Sequence, residues 1–187
     1  MTQGNTQTLR TTNTYAMAVT ALMTAVTCIL APLSIPLPFS PVPISLTNLV
    51  IFISVFILGM KDATISFLIY LLLGAVGLPV FASFHAGLSV LAGPTGGYLI
   101  GFIFLALIQG FAMKYFDRKL IPTIIGMLIG MAVCYIFGTV WLAKLMSLSF
   151  KEGLFMGVIP YLPGDAVKII IAVIVGPKLY AATKKVR

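Results

Sequence analysis

Apolar stretches broken only by short polar connectors fill this chain almost end to end, and they decide what it can fold into. They cover approximately residues 15–33, 44–60, 63–82, 96–116, 119–147 and 163–183. About 20 apolar residues suffice for a helix to cross a bilayer. In hydrocarbon every backbone N–H and C=O needs a partner within the protein, so such runs form helices unless they close a barrel. A barrel would alternate apolar and polar residues in segments of about ten, and no such alternation is present. The expectation is an all-α integral membrane protein with six transmembrane helices. No connector is long enough for a soluble module, so residues 1–187 read as a single membrane domain. The first run follows a polar tail, Met1 to Thr14, and outlasts the apolar core of a signal peptide. With further runs behind it, it reads as a true first helix.

Charged residues make up 9% of the chain, and their placement predicts topology. With six spans both termini share a side. That side holds Arg10, Lys61, Lys114, Arg118, Lys119, Lys178, Lys184, Lys185 and Arg187, against Lys144 and Lys151 on the other. Lys and Arg accumulate on the cytoplasmic side. Both termini are therefore expected in the cytoplasm, in a multi-pass protein of the plasma membrane. The net charge of +8 does not indicate a nucleic-acid partner, because the basic residues are dispersed over connectors and the C-terminus without interleaved aromatics.

Against this background one charged pair is out of place. Asp165 and Lys168 stand at the head of the last apolar run, in Pro-Tyr-Leu-Pro-Gly-Asp-Ala-Val-Lys (160–168). A charge at the bilayer centre costs about 2.5–3.5 kcal/mol on insertion scales, and less toward its edge. The i, i+3 spacing puts both groups on one helix face. One reading is structural: a carboxylate favoured by the helix N-terminus and a lysine reaching for the interface. The favoured reading is a ligand anchor, which supplies an acceptor and a donor inside an apolar bundle.

Residues 31–44 hold five prolines and no charge, so they must be extended. Residues 78–95 are apolar and glycine-rich. Both connectors are expected to fold back and close a cavity, since non-helical backbone at membrane depth survives when buried in protein. In Gly93-Pro94-Thr95-Gly96-Gly97-Tyr98, Gly93, Gly97 and Gly101 suit close helix contact. The same turn lets Thr95, Gly96 and Gly97 approach a ligand, with Tyr98 as a wall. Ala18, Ala21 and Ala25 form a small-residue stripe for packing within the bundle or against a partner. Asn48 and Gln109 read as interhelical hydrogen-bonding groups, with Asn48 also placed to line the cavity. His85 reads as a loop side chain and not as a metal ligand. Cys28 and Cys134 read as small hydrophobes. Gly176-Pro177 marks an expected kink. No catalytic constellation, metal-binding set or nucleotide motif is present in the sequence, which excludes an enzyme reading.

The segments Pro-Val-Pro-Ile-Ser-Leu-Thr-Asn-Leu (41–49), Gly-Leu-Pro-Val-Phe-Ala (77–82), Gly-Pro-Thr-Gly-Gly-Tyr-Leu-Ile-Gly-Phe (93–102) and Leu-Pro-Gly-Asp-Ala-Val-Lys (162–168) resemble those of the BioY family, the biotin-specific S components of energy-coupling-factor transporters. The resemblance runs along essentially the whole chain. It departs at Ser45-Leu46-Thr47-Asn48, where the family has Thr-Leu-Gln, and in the loop Ser83 to Ala86.

The resemblance implies an S-component fold that captures biotin with high affinity from outside. The subunit then docks on a membrane T component carrying two ATPases, and ATP hydrolysis belongs to those partners. The helix-one stripe of Ala18, Ala21 and Ala25 resembles the surface that meets the T component. No cofactor is implied, only the ligand biotin. Asp165 would accept from a ureido N–H. Lys168 would donate to the ureido oxygen or neutralise the carboxylate tail. Phe84, Leu91 and Tyr98 are candidates for the apolar wall. The alternatives are an S component for another small vitamin, or a membrane assembly subunit without a ligand.

Overall fold

Apolar runs free of breakers become helices, and glycine and proline mark where they stop. The computed structural model describes residues 4–185 of the chain, with side chains described for 14–184. Met1 to Gln3 of the polar tail, and the side chains of Arg10, Lys185 and Arg187 counted toward the charge asymmetry, lie outside the described residues. Helix α1 (Gly4–Leu30) starts upstream of the expected Tyr15. Strands β1 (Ser34–Leu37) and β2 (Ser40–Ser45) follow. They form an antiparallel hairpin in which Ser34 faces Ser45 and Leu37 faces Ser40, with a register shift between Ile35 and Leu37. The described residues are mostly helical, as expected, and this hairpin is the one sheet among them. The proline-rich connector is extended as its prolines require, and it pairs with itself. Pro36 sits at the register shift, where a missing N–H costs the ladder least.

Helix α2 (Thr47–Leu58) and helix α3 (Met60–Ala75) meet at Gly59, whose φ of 80° only glycine adopts readily. The break therefore comes before Lys61-Asp62, which fall in the first turn of α3. The third run was expected to stay helical to residue 82. It ends at Ala75, because Gly77 (φ 113°) and Pro79 turn the chain into a loop. That loop holds a 3-10 turn, Ala82–Phe84, and a short helix α4 (Leu88–Ala92). Helices α5 (Gly96–Tyr115) and α6 (Leu120–Met146) match the fourth and fifth runs closely. Helix α7 (Phe150–Gly157), which the apolar pattern did not mark, carries a capping box between Ser149 and Glu152. A 3-10 turn at Ile159–Tyr161 leads into helix α8 (Leu162–Lys185), which stays helical through the expected kink at Gly176-Pro177. Among the described residues three segments are long and apolar enough to cross a membrane: Gly96–Tyr115, Leu120–Met146 and Phe150–Lys184. Thr14–Leu30 and Thr47–Leu58 are shorter apolar helices.

The core is built from Phe52, Val55, Tyr70, Phe81, Leu105 and Met127, contributed by four helices and the 76–87 loop. Large apolar side chains such as Leu72, Ile121, Ile136, Ile170 and Ile174 are exposed on the outside, as a surface that faces lipid requires. Helices α5 and α6 pack tightly: a Cβ on Gly101 would sit 2.8 Å from Cys134 Cα. Helix α1 is tied to α3 by Thr24 and Ser66, whose hydroxyl oxygens are 2.9 Å apart. Gln109 Nε2 donates to the Phe52 carbonyl at 3.1 Å, the interhelical bond expected of it. At the end opposite the hairpin, Arg118 donates to the Phe56 carbonyl at 2.6 Å and stacks 3.8 Å over the Tyr180 ring, clasping α2 and α8.

Candidate functional site

Pro160 lies inside the 3-10 turn that ends at Tyr161, and helix α8 starts on the next residue. That start puts Asp165 in the first turn of α8, where the helix N-terminus favours a carboxylate. Lys168 follows on the same face. Both are buried, at 6% and 8% exposure. Lys168 Nζ donates to Asp165 Oδ1 at 2.9 Å and to the Ser45 carbonyl at 2.7 Å. Asn48 Nδ2, from the first turn of α2, donates to the same Asp165 Oδ1 at 2.7 Å. The Tyr135 hydroxyl, from the middle of α6, donates to Asp165 Oδ2. Removing one member of a buried ion pair costs about 3–5 kcal/mol, so each charge needs this set of partners.

The bonds leave a defined remainder. A carboxylate has about four lone-pair sites and an ammonium three donors. Three of the Asp165 sites and two of the Lys168 donors are occupied within the protein. One acceptor site, on Asp165 Oδ2, and one Lys168 donor are left without a partner in the protein.

They open onto a cavity of about 470 Å³, within the ~300–1,000 Å³ usual for small-molecule sites. Its roof is the β1–β2 hairpin, through Pro36, Pro41, Val42 and Pro43, and the loop through Ala82, Ser83 and His85. The two expected backfolding connectors thus both contribute to its wall. The hairpin is held down by Tyr161, whose hydroxyl lies 2.8 Å from Ser40 Oγ and also meets the Val42 carbonyl. It is tied to the loop by Ser34 and Ser83, whose hydroxyl oxygens are 2.9 Å apart. Helices α5 and α6 supply Tyr98, Leu99, Phe102, Met131, Cys134 and Tyr135.

The expected site residues divide. Asp165, Lys168, Asn48, Tyr98 and Thr95 all line the cavity. Tyr98 is fixed by its hydroxyl, which donates to the Gly157 carbonyl at 3.0 Å. Gly96, Gly97, Leu91 and Phe84 do not line it. A Cβ on Gly96 would collide with the Leu91 carbonyl and one on Gly97 with Trp141, so both glycines serve close packing. Leu91 packs against the core. Phe84 is 64% exposed: Ser83 and Phe84 both take left-handed backbone, with φ of 58° and 60°, and its ring is carried outward. Ala18, Ala21 and Ala25 are exposed on one face of α1, while Thr20, Thr24 and Thr27 face the bundle.

Four lining residues were read otherwise or missed. His85 and Cys134 line the cavity; Cys134 Sγ donates to the Tyr98 carbonyl at 3.5 Å, so it is more than a packed hydrophobe. Tyr135 and Tyr70 were not singled out. Tyr70 is fully buried, and its hydroxyl has no hydrogen-bond partner, with Thr47 beside it but outside bonding geometry. A hydroxyl in an otherwise apolar run was the available signal for both.

Three comparisons bear on this arrangement. The model of the BioY family matches residues 3–185. The chain is 30% identical to biotin transporter BioY2 of Lactococcus lactis subsp. cremoris, over 93% of this chain and 94% of that protein. It is 35% identical to a biotin transporter BioY of Rhizobium etli, over 88% and 92%. A crystal structure of the S-component for biotin from an ECF-type ABC transporter superposes with a TM-score of 0.82 at 31% identity, covering 96% of this chain and 94% of that one.

Proposed function

The chain belongs to the BioY family, and on that premise we propose that it captures biotin at the membrane as the substrate-binding S component of an energy-coupled uptake transporter. The observation that carries this reading is the unfilled remainder at Asp165 and Lys168, one acceptor and one donor in the wall of a cavity that also offers the apolar surfaces of Val42, Leu99 and Phe102. A cyclic urea presents an N–H next to a C=O. Asp165 accepts from the N–H and Lys168 donates to the oxygen, so the ureido ring and not the carboxylate tail meets the lysine. Val42, Leu99, Phe102 and Tyr98 face the thiophane ring and the methylene tail.

Topology follows from charge. Six spans in one membrane domain, residues 1–187, put both termini in the cytoplasm by the excess of Lys and Arg on their side. The hairpin end then faces outside, where the ligand enters. The chain itself does no chemistry on the ligand. A T component and two ATPase subunits supply the energy, and Ala18, Ala21 and Ala25 meet the T component. The exposure of that face supports the docking.

Titration of biotin into the purified protein tests the reading. Asp165→Asn converts a charge-assisted bond into a neutral one and should weaken binding by about tenfold or more. Unchanged affinity would remove Asp165 from the site. Tight binding of a different vitamin would make this an S component of other specificity, and no binding of any vitamin would leave an assembly subunit.

A further inference from the structure

The charged end of the cavity answers a ureido group and leaves the ligand's carboxylate without a partner. Building on the biotin reading, we propose that His85 is a specificity-determining residue of the same site: its imidazolium binds the ligand's carboxylate at the cavity mouth, so that capture strengthens as pH falls. His85 is exposed on the loop side and also lines the cavity. Its position is set by the backbone. The Phe81 N–H donates to the His85 carbonyl at 3.1 Å, and the two left-handed residues before it turn Phe84 out. His85 Nδ1 lies 2.9 Å from the Ala82 carbonyl. A carbonyl only accepts, so Nδ1 carries a hydrogen and Nε2 is the nitrogen that gains or loses a proton.

The electrostatic surroundings are simple. The 3-10 turn before His85 packs against β1 and β2, and neither strand holds a charged residue. Residues 63–113, which include the rest of the loop and α4, contain no Asp, Glu, Lys or Arg. Lys61 and Asp62 of α3 and Lys114 of α5 stand at the far ends of their helices. The remaining titratable groups of the lining are Tyr70, Tyr98, Cys134, Tyr135, Tyr161 and the Asp165–Lys168 pair. Among these lining residues only Lys168 and His85 can be cationic, and Lys168 is already committed at the buried end. A carboxylate carried out of the apolar middle meets His85. Histidine changes charge between about pH 5 and 8, while a carboxylate stays ionised over most of that range. Deprotonation of Nε2 turns the donor into an acceptor facing the carboxylate, so affinity falls as pH rises.

The test is calorimetric titration of the full-length protein with biotin and with biotin methyl ester, at both ends of that range, for wild type, His85→Gln and His85→Lys. A partly exposed ion pair should make biotin bind roughly three- to fivefold tighter at the acid end. The ester and His85→Gln should lose that gain, and His85→Lys should hold the tighter binding at both ends. A wild-type affinity independent of pH, or the same pH dependence in His85→Gln, overturns the inference while biotin binding itself stands. No biotin binding by the wild type at any pH overturns the functional reading and this inference with it.

Discussion

The Tyr70 hydroxyl is fully buried without a partner, a condition that costs about 1–3 kcal/mol. Its ring is held by Phe67, at 5.4 Å between centroids, and edge-on by Phe81 at 5.6 Å. The side chain cannot swing away to find water, and the cavity it lines is where a polar ligand atom can answer it. Tyr70→Phe should therefore leave the unliganded protein as stable or more stable by up to about 1 kcal/mol, while weakening biotin binding roughly three- to tenfold. Thermal unfolding with and without biotin separates the two effects, and a destabilised protein with full affinity would show that the hydroxyl is engaged structurally. Tyr70 and Tyr135 were passed over in the sequence because a tyrosine in an apolar run marks a polar group without naming its partner. What its hydroxyl reaches depends on which helix lies opposite. Asp165 and Lys168 were legible because a charge there has no bland surroundings to hide in. Phe84 misled because a loop has no periodicity: two consecutive left-handed residues decide which side chain turns inward.

Helices α5 and α6 were the most legible elements, since their runs have clear ends and no interior proline beyond the first turn. Their close approach was legible too, through Gly97 and Gly101. Gly101 has Cys134 Cα within 2.8 Å of where a Cβ would stand, and Cys134 bonds the Tyr98 carbonyl. Gly101→Leu must push the two helices apart. We expect a loss of about 1–3 kcal/mol, read as a lower melting temperature in detergent. Ligand affinity should fall as well, because Tyr98 and Tyr135 line the cavity from opposite sides of that contact. A variant of wild-type stability would mean that the pair can separate freely. The elements that escaped hydropathy are the short ones. The β1–β2 hairpin pairs strands too short and too proline-rich for alternation to register. Helix α7 had a readable start in Ser149-Phe-Lys-Glu152, the capping-box spacing, yet it lay in a connector where hydropathy alone gave no period.

For the whole molecule the division of labour runs along α1. Thr20, Thr24 and Thr27 face the bundle, and Thr24 ties α1 to α3. Ala18, Ala21 and Ala25 face outward beside Met17, Leu22 and Ile29. No residue of α1 lines the cavity among the described residues, so the outward face and the ligand site share no side chain. Small residues on a lipid-facing helix let another helix come close, and a large side chain there blocks it without disturbing the helix's own packing. Ala21→Trp should accordingly leave biotin affinity within about twofold, as distant sites with no common partner act independently. Biotin uptake by cells, and recovery of a T component with the purified subunit, should fall by roughly tenfold or more. If uptake persisted, the T component would have to meet another face. If affinity fell with it, α1 would be coupled to the cavity through α3 and the Thr24–Ser66 contact, which Thr24→Val would then reproduce on its own.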